Sequence, residues 1–176
     1  MGVFAFDLLP HPDFPPLAGR AVRASGSLSA RGAVVSYVLS GEAPTIPSPA
    51  NPVRTDGLWQ TTCFELFVMQ AGEERYVELN FSPSGQWAAY TFESYRAQGR
   101  DLSLDTAPHI EPIEGGVRAV AAFTFDPIGA LRFGLSAVIE ETDGTKSYWA
   151  LAHAPGPPDF HNRDCFIATL PAPTAP

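Results

Sequence analysis

The sequence predicts an all-β chain: an antiparallel β-sandwich, jelly-roll or immunoglobulin-like, of about ten or eleven strands. Three observations carry this expectation. The 176 residues include 18 Pro and 15 Gly, which punctuate or break helices, so long helices are disfavoured. Short runs rich in β-branched and aromatic residues recur at regular spacing between turn signals, the signature of a sandwich or barrel. A hydrophobic content of 45% with 17% charged residues suits one core in a chain of this length.

The elements follow in order. Residues 2–9 alternate apolar and small side chains as an opening strand, and the proline-rich stretch 10–16 is an extended loop. Residues 20–30 and 33–39 form a hairpin about Arg31-Gly32. The four prolines of 41–56 mark a long irregular loop, of the kind that is usually functional or disordered. Three strands then span 58–69, 75–82 and 86–93, with turns at Gly72-Glu73 and Ser82-Pro83-Ser84-Gly85. Further strands are expected over 117–125, 131–140, 145–153 and 164–170, with a single helical turn at 126–130 and a long turn at 154–163. The whole of 1–176 reads as one domain whose Pro/Ala tail, 171–176, is frayed.

Composition also narrows function. Eleven Lys and Arg against 19 Asp and Glu give a net charge of −8, with no basic run, so nucleic acid and acidic membrane surfaces are not expected partners. No apolar stretch reaches the roughly 18 residues of a membrane span, and the N-terminus has no basic region before its apolar run. A cytoplasmic location is therefore expected, with Cys63 and Cys165, about a hundred residues apart, as two separate thiols. The Asn80-Phe81-Ser82 sequon lies within a predicted strand and is read as chance. Nucleotide-binding glycine loops, HExxH, GxSxG and EF-hand loops are all missing, which favours a non-catalytic role.

Candidate chemistry comes from parity. In the 58–69 strand Thr62, Phe64, Leu66 and Val68 share a core face, while Trp59, Thr61, Cys63, Glu65, Phe67 and Met69 share the other. Val77, Leu79 and Phe81 oppose Tyr76, Glu78 and Asn80 in the next. The second face mixes aromatic and polar groups, as a groove would. Trp59 and Glu65 would lie roughly 20 Å apart in one regular strand, too far for a small site unless Trp59 belongs to the preceding loop and folds back. Glu65 and Glu78 fall on adjacent strands, where they could hold hydroxyls or a cation, act as acid and base, or pair with arginines. Arg96 after Tyr95 is a donor to hydroxyls or a carboxylate. The 153–164 turn gathers His153, Asp159 and His161, either as a polar wall of the site or as a facial metal set.

The blocks Trp59 to Phe67 and Tyr76 to Trp87, with Tyr148-Trp149-Ala150-Leu151 and Pro158-Asp159-Phe160-His161, resemble the DOMON-like superfamily. It includes small bacterial proteins, the nearest in pattern, together with family-nine carbohydrate-binding modules and haem-binding domains of sugar dehydrogenases. The resemblance implies a stacking platform at Trp59, a hydroxyl acceptor at Glu65 and a second aromatic at Trp149. The arginine that the carbohydrate branch carries on the next strand has no counterpart here, where Glu78 and Asn80 stand. The haem branch would require Met69 with His153 or His161.

The expected ligand is thus a small polar molecule, most naturally a saccharide, bound without cofactor or metal by Trp59, Glu65, Glu78, Asn80, Arg96, Trp149, His153, Asp159 and His161. The alternatives are an enzyme acting on a sugar-like metabolite through carboxylate and histidine or a metal, and a haem-binding domain.

Overall fold

A computed structural model of the chain describes residues 2–29, 31–123 and 129–171. It is all-β, with two antiparallel sheets. The five-stranded sheet orders β1 (Gly2–Asp7), β3 (Ala21–Ser29), β4 (Gly32–Ser40), β10 (Gly116–Ala122) and β9 (His109–Ile113). The eight-stranded sheet orders β2 (Leu9–Pro10), β12 (Lys146–Ala150), β11 (Leu131–Glu140), β5 (Cys63–Gln70), β6 (Tyr76–Phe81), β7 (Trp87–Phe92) and β8 (Arg100–Asp101), and β13 (Ala168–Leu170) also pairs with β11. The expected helical turn at 126–130 falls largely outside the described residues, as does most of the tail. Among the described residues no helix is long and apolar enough to cross a membrane.

The main core lies between the sheets. Val22, Leu28, Val35, Tyr37 and Val117 meet Phe64, Leu66, Leu79, Phe81, Leu135 and Ile139, each buried. A fully buried side chain of this kind stabilises by about 1.5–3 kcal/mol. The even-numbered face of β5 is its core face, as parity predicts. β5 is nevertheless buried along both faces, because loops cover its outer side. Phe67, Met69, Tyr76, Phe160 and Phe166 make a second apolar cluster there.

Several boundaries differ from expectation, beginning with the opening segment, which splits into β1 and, in the other sheet, β2. Residues 58–60 form a 3₁₀ turn and not the start of β5. Its entry residue Gly57 has φ 74°, a left-handed conformation that glycine adopts without steric cost. The 163–165 segment is a second 3₁₀ turn, capped by Asn162 Oδ1 accepting from Asp164 N–H. β9 is a strand beyond those expected; it contains Pro112 and lies at a sheet edge, where a missing N–H is tolerated.

A buried polar network joins the sheets. Arg20, preceding β3, pairs with Glu141, following β11, at 2.6 Å with both side chains 1% exposed. Ser147 Oγ donates to Glu141 Oε1 and accepts from Trp149 Nε1–H. Cys63 and Cys165 are buried free thiols.

Candidate functional site

The outer face of the eight-stranded sheet, turned away from the core, carries a cleft of about 480 Å³. Its floor comes from alternation on three neighbouring strands. Glu65 on β5 stands opposite Asn80 on β6, and Phe67 opposite Glu78, so the carboxyls are diagonal neighbours with the amide beside both. Ser136 on β11 is opposite Glu65 from the other side. Its Oγ donates to Glu65 Oε2 at 2.9 Å, and Asn80 Nδ2–H donates to Glu78 Oε1 at 2.7 Å.

These carboxyls are buried, which disfavours their charged forms. Burial, with the Glu78 carboxylate as the next cause, pushes Glu65 up to about 8. Burial also raises Glu78, against the stabilising bond from Asn80 and the charge of Arg96. The floor thus holds a proton at neutral pH.

Loops supply the walls. The segment 41–57 is fastened to β7: Arg54 sits 5.1 Å over the Tyr90 ring and pairs with Asp56 at 3.0 Å, and Tyr90 Oη–H donates to Asp56. That anchorage delivers the 58–60 turn to the cleft rim, where Trp59 is 55% exposed. The turn removes the distance problem of a single straight strand: Trp59 is folded back and lines the same cleft as Glu65.

Arg96 enters from the turn between β7 and β8, with φ 51°. A positive φ costs a non-glycine residue energy that its surroundings must offset. Here Asp159 holds the turn, accepting from Arg96 Nη2 at 2.8 Å and from Tyr95 Oη at 2.6 Å. These donors keep Asp159 below the usual carboxylate range despite partial burial. The backbone N–H of Arg96 donates to Tyr76 Oη, which lies 2.8 Å from His161 Nδ1. A phenol that donates to Nδ1 leaves the neutral His161 ring protonated at Nε2. Nε2 is 3.7 Å from Glu78 Oε2. Burial first, and the Arg96 charge second, push His161 down to about 4, so it stays neutral.

Six of the nine expected residues therefore line one cleft: Trp59, Glu65, Glu78, Asn80, Arg96 and His161. The other three do not. Asp159 acts from behind Arg96. Trp149 is 2% exposed in the core between the sheets, its indole N–H spent on Ser147, and its neighbour Tyr148 takes the cleft position. His153 Nε2–H donates to Leu9 O, and its ring abuts His11, whose Nε2–H donates to Gly156 O. The two imidazoles join the N-terminal loop to the 151–167 loop. The facial metal set of His153, Asp159 and His161 is likewise not formed; no group of three such side chains among the described residues could hold a metal ion. Of the haem candidates, Met69 and His161 line a neighbouring cleft of about 420 Å³, Met69 as part of the second apolar cluster and His161 with Nδ1 hydrogen-bonded to Tyr76.

Phe14, Tyr90, Phe92, Tyr148 and Phe160 also line the cleft but are not among the nine. For Tyr148 the register with Val138 is the missing signal, because β12 offers an aromatic on each face and only its neighbour identifies the outer one.

No protein-family model matches the chain, and no curated protein matches it. Among solved structures it is similar to a "putative carbohydrate-binding protein" from Bacteroides uniformis ATCC 8492, with a TM-score of 0.65 and 15% identity over 96% of this chain and 86% of that one. That likeness is one of fold. A family-nine carbohydrate-binding module from Caldicellulosiruptor kristjanssonii is more distant. Its complex with cellotriose gives a TM-score of 0.47 and 12% identity over 85% of this chain and 74% of that one. Its complex with glucose gives 0.46 and 12% over 81% and 72%.

Proposed function

We propose that the cleft binds a saccharide-class ligand, and that the chain is a non-catalytic binding domain of DOMON-like type. The observation that carries this is the exposed face of Trp59 at the rim of a cleft whose floor is a buried carboxyl–carboxyl–amide cluster. A sugar ring is apolar across its C–H faces and polar around its edge, so it matches an aromatic wall beside hydrogen-bonding groups. Arg96 and His161 Nε2–H add donors on one side, and Glu65, Glu78 and Asn80 add acceptors below. The fold shared with the Bacteroides protein is compatible with this reading. Titration calorimetry with a panel of mono- and oligosaccharides is the test. Millimolar or tighter binding that is lost in Trp59→Ala is expected, and no heat from any saccharide at millimolar concentration contradicts it.

One observation favours a second reading, acid/base catalysis: Glu65, Glu78 and His161 converge on one cleft, with one carboxyl held protonated. It predicts turnover of a glycoside or sugar-like metabolite that disappears in both Glu65→Gln and Glu78→Gln. A bound saccharide recovered unchanged after prolonged incubation contradicts it.

A further inference from the structure

Six aromatic side chains surround the cleft: Phe14, Trp59, Tyr90, Phe92, Tyr148 and Phe160. Its floor is rich in acceptors. Ser136 occupies one oxygen of Glu65 and Asn80 Nδ2 one oxygen of Glu78. The second oxygen of Glu78 lies 3.7 Å from His161 Nε2, and Asn80 Oδ1, on a side chain 2% exposed, has no partner at all among the described residues. A buried amide oxygen without a donor is costly, and native proteins rarely leave one without a reason. The cationic residue of the lining, Arg96, is already committed to Asp159 at 2.8 Å.

We propose that the cleft selects a saccharide bearing a protonated amine, a hexosamine whose ammonium sits among Glu65, Glu78 and Asn80 while its ring lies against the aromatic wall. This rests on the saccharide reading above and narrows it. An ammonium is the group that fits, because it brings three N–H donors and no acceptor. Aromatic faces add attraction for the cation, and the chain's charge of −8 draws cations toward it. His161 Nε2–H remains for a ring hydroxyl.

The arrangement also couples binding to a proton. A bound ammonium favours ionised Glu65, whose proton then passes to solvent. Among the described residues the other titratable and charged groups around the pair are Cys63 on β5, Tyr76 on β6, Tyr90 on β7 and Tyr148 on β12. Arg96 faces it from the β7–β8 turn, with Asp159 and His161 in the 151–167 loop. Burial pushes up the Cys63 thiol and the Tyr76 and Tyr90 phenols, so the proton released at pH 6 traces to the carboxyl pair.

The experiment compares glucosamine, galactosamine and mannosamine with their parent hexoses and N-acetyl derivatives at pH 6 by calorimetry, with proton release followed in a pH-stat. At least one amine is expected to bind about tenfold or more tighter than both its neutral counterparts, with proton release on binding. In Glu78→Gln, checked for folding by its melting temperature, the preference collapses; should that variant not fold, proton release by the natural chain decides. Hexoses that bind as tightly as their amines, without proton release, overturn amine selection and leave the saccharide reading standing. Absence of binding by all three classes overturns both.

Discussion

At the residue scale, Glu65 and His161 make opposite contributions to the pH dependence of stability. A carboxyl with a folded pKa of about 8 binds more protons folded than unfolded, so stability falls as pH rises from about 4.3 to about 8. A histidine held at about 4 binds fewer protons folded, so stability rises with pH from about 4 to about 6.5. The two oppose one another below pH 6.5, and above it the carboxyls alone set the slope among these groups. The melting temperature is expected to fall between pH 6.5 and 8, and Glu65→Gln to remove most of that fall, gaining a few degrees at pH 8; about 1 kcal/mol moves a domain of this size by roughly 2–4 °C. Thermal melts across pH check it, and parallel curves for the two proteins contradict it. Trp59→Ala, by contrast, is expected to shift the melting temperature little because the side chain is mostly solvated. At this scale the floor was legible from alternation within β5 and β6. Trp149 was not: Tyr148 and Trp149 fit either face by composition, and the buried bond from Trp149 to Ser147 decides it.

Among the elements, the β7–β8 turn depends on the 151–167 loop through Asp159. The Arg96–Asp159 pair is half exposed on the arginine side, a setting in which ion pairs contribute about 0–1 kcal/mol. Asp159→Ala should therefore cost little stability yet weaken ligand binding about tenfold by releasing Arg96. Calorimetry on Asp159→Ala, Arg96→Ala and the double variant checks this, with the double no worse than Arg96→Ala alone. The loop itself packs down where β11 has no side chain: a Cβ on Gly134 would come 2.7 Å from Phe166 Cδ1, and Phe166 is fully buried. Gly134→Ala is expected to cost about 1–3 kcal/mol in denaturant unfolding, as overpacking does. The 58–60 turn shows why element boundaries were harder to read than parity. Trp59 and Thr61 continue the odd-numbered alternation of β5, so periodicity extends the strand backward. The left-handed Gly57 and the anchorage of Arg54 on Tyr90 turn the chain instead.

For the whole molecule, the same sheet has a core face that stabilises the fold and an outer face that forms the cleft. The two sheets are tied by Arg20 and Glu141, and removing one partner of a buried pair leaves an uncompensated charge. Glu141→Ala should cost about 3–5 kcal/mol and could leave the domain unfolded at 37 °C, as read from denaturant melts. The sandwich was legible as a whole because alternation and turn chemistry recur along the entire chain. The closure of the cleft was not, because it depends on contacts between segments more than a hundred residues apart, such as His11 with Gly156 and His153 with Leu9. The outer-face cleft as the saccharide site is the central claim, and the three tryptophans report on it directly. Trp59 lies at the rim, whereas Trp149 is in the core and Trp87 packs against it. In a ¹H–¹⁵N NMR titration with a saccharide that binds, the Trp59 indole resonance is expected to move with saturation while those of Trp87 and Trp149 stay in place. Saturable shifts at the other two indoles with Trp59 unmoved would contradict the account.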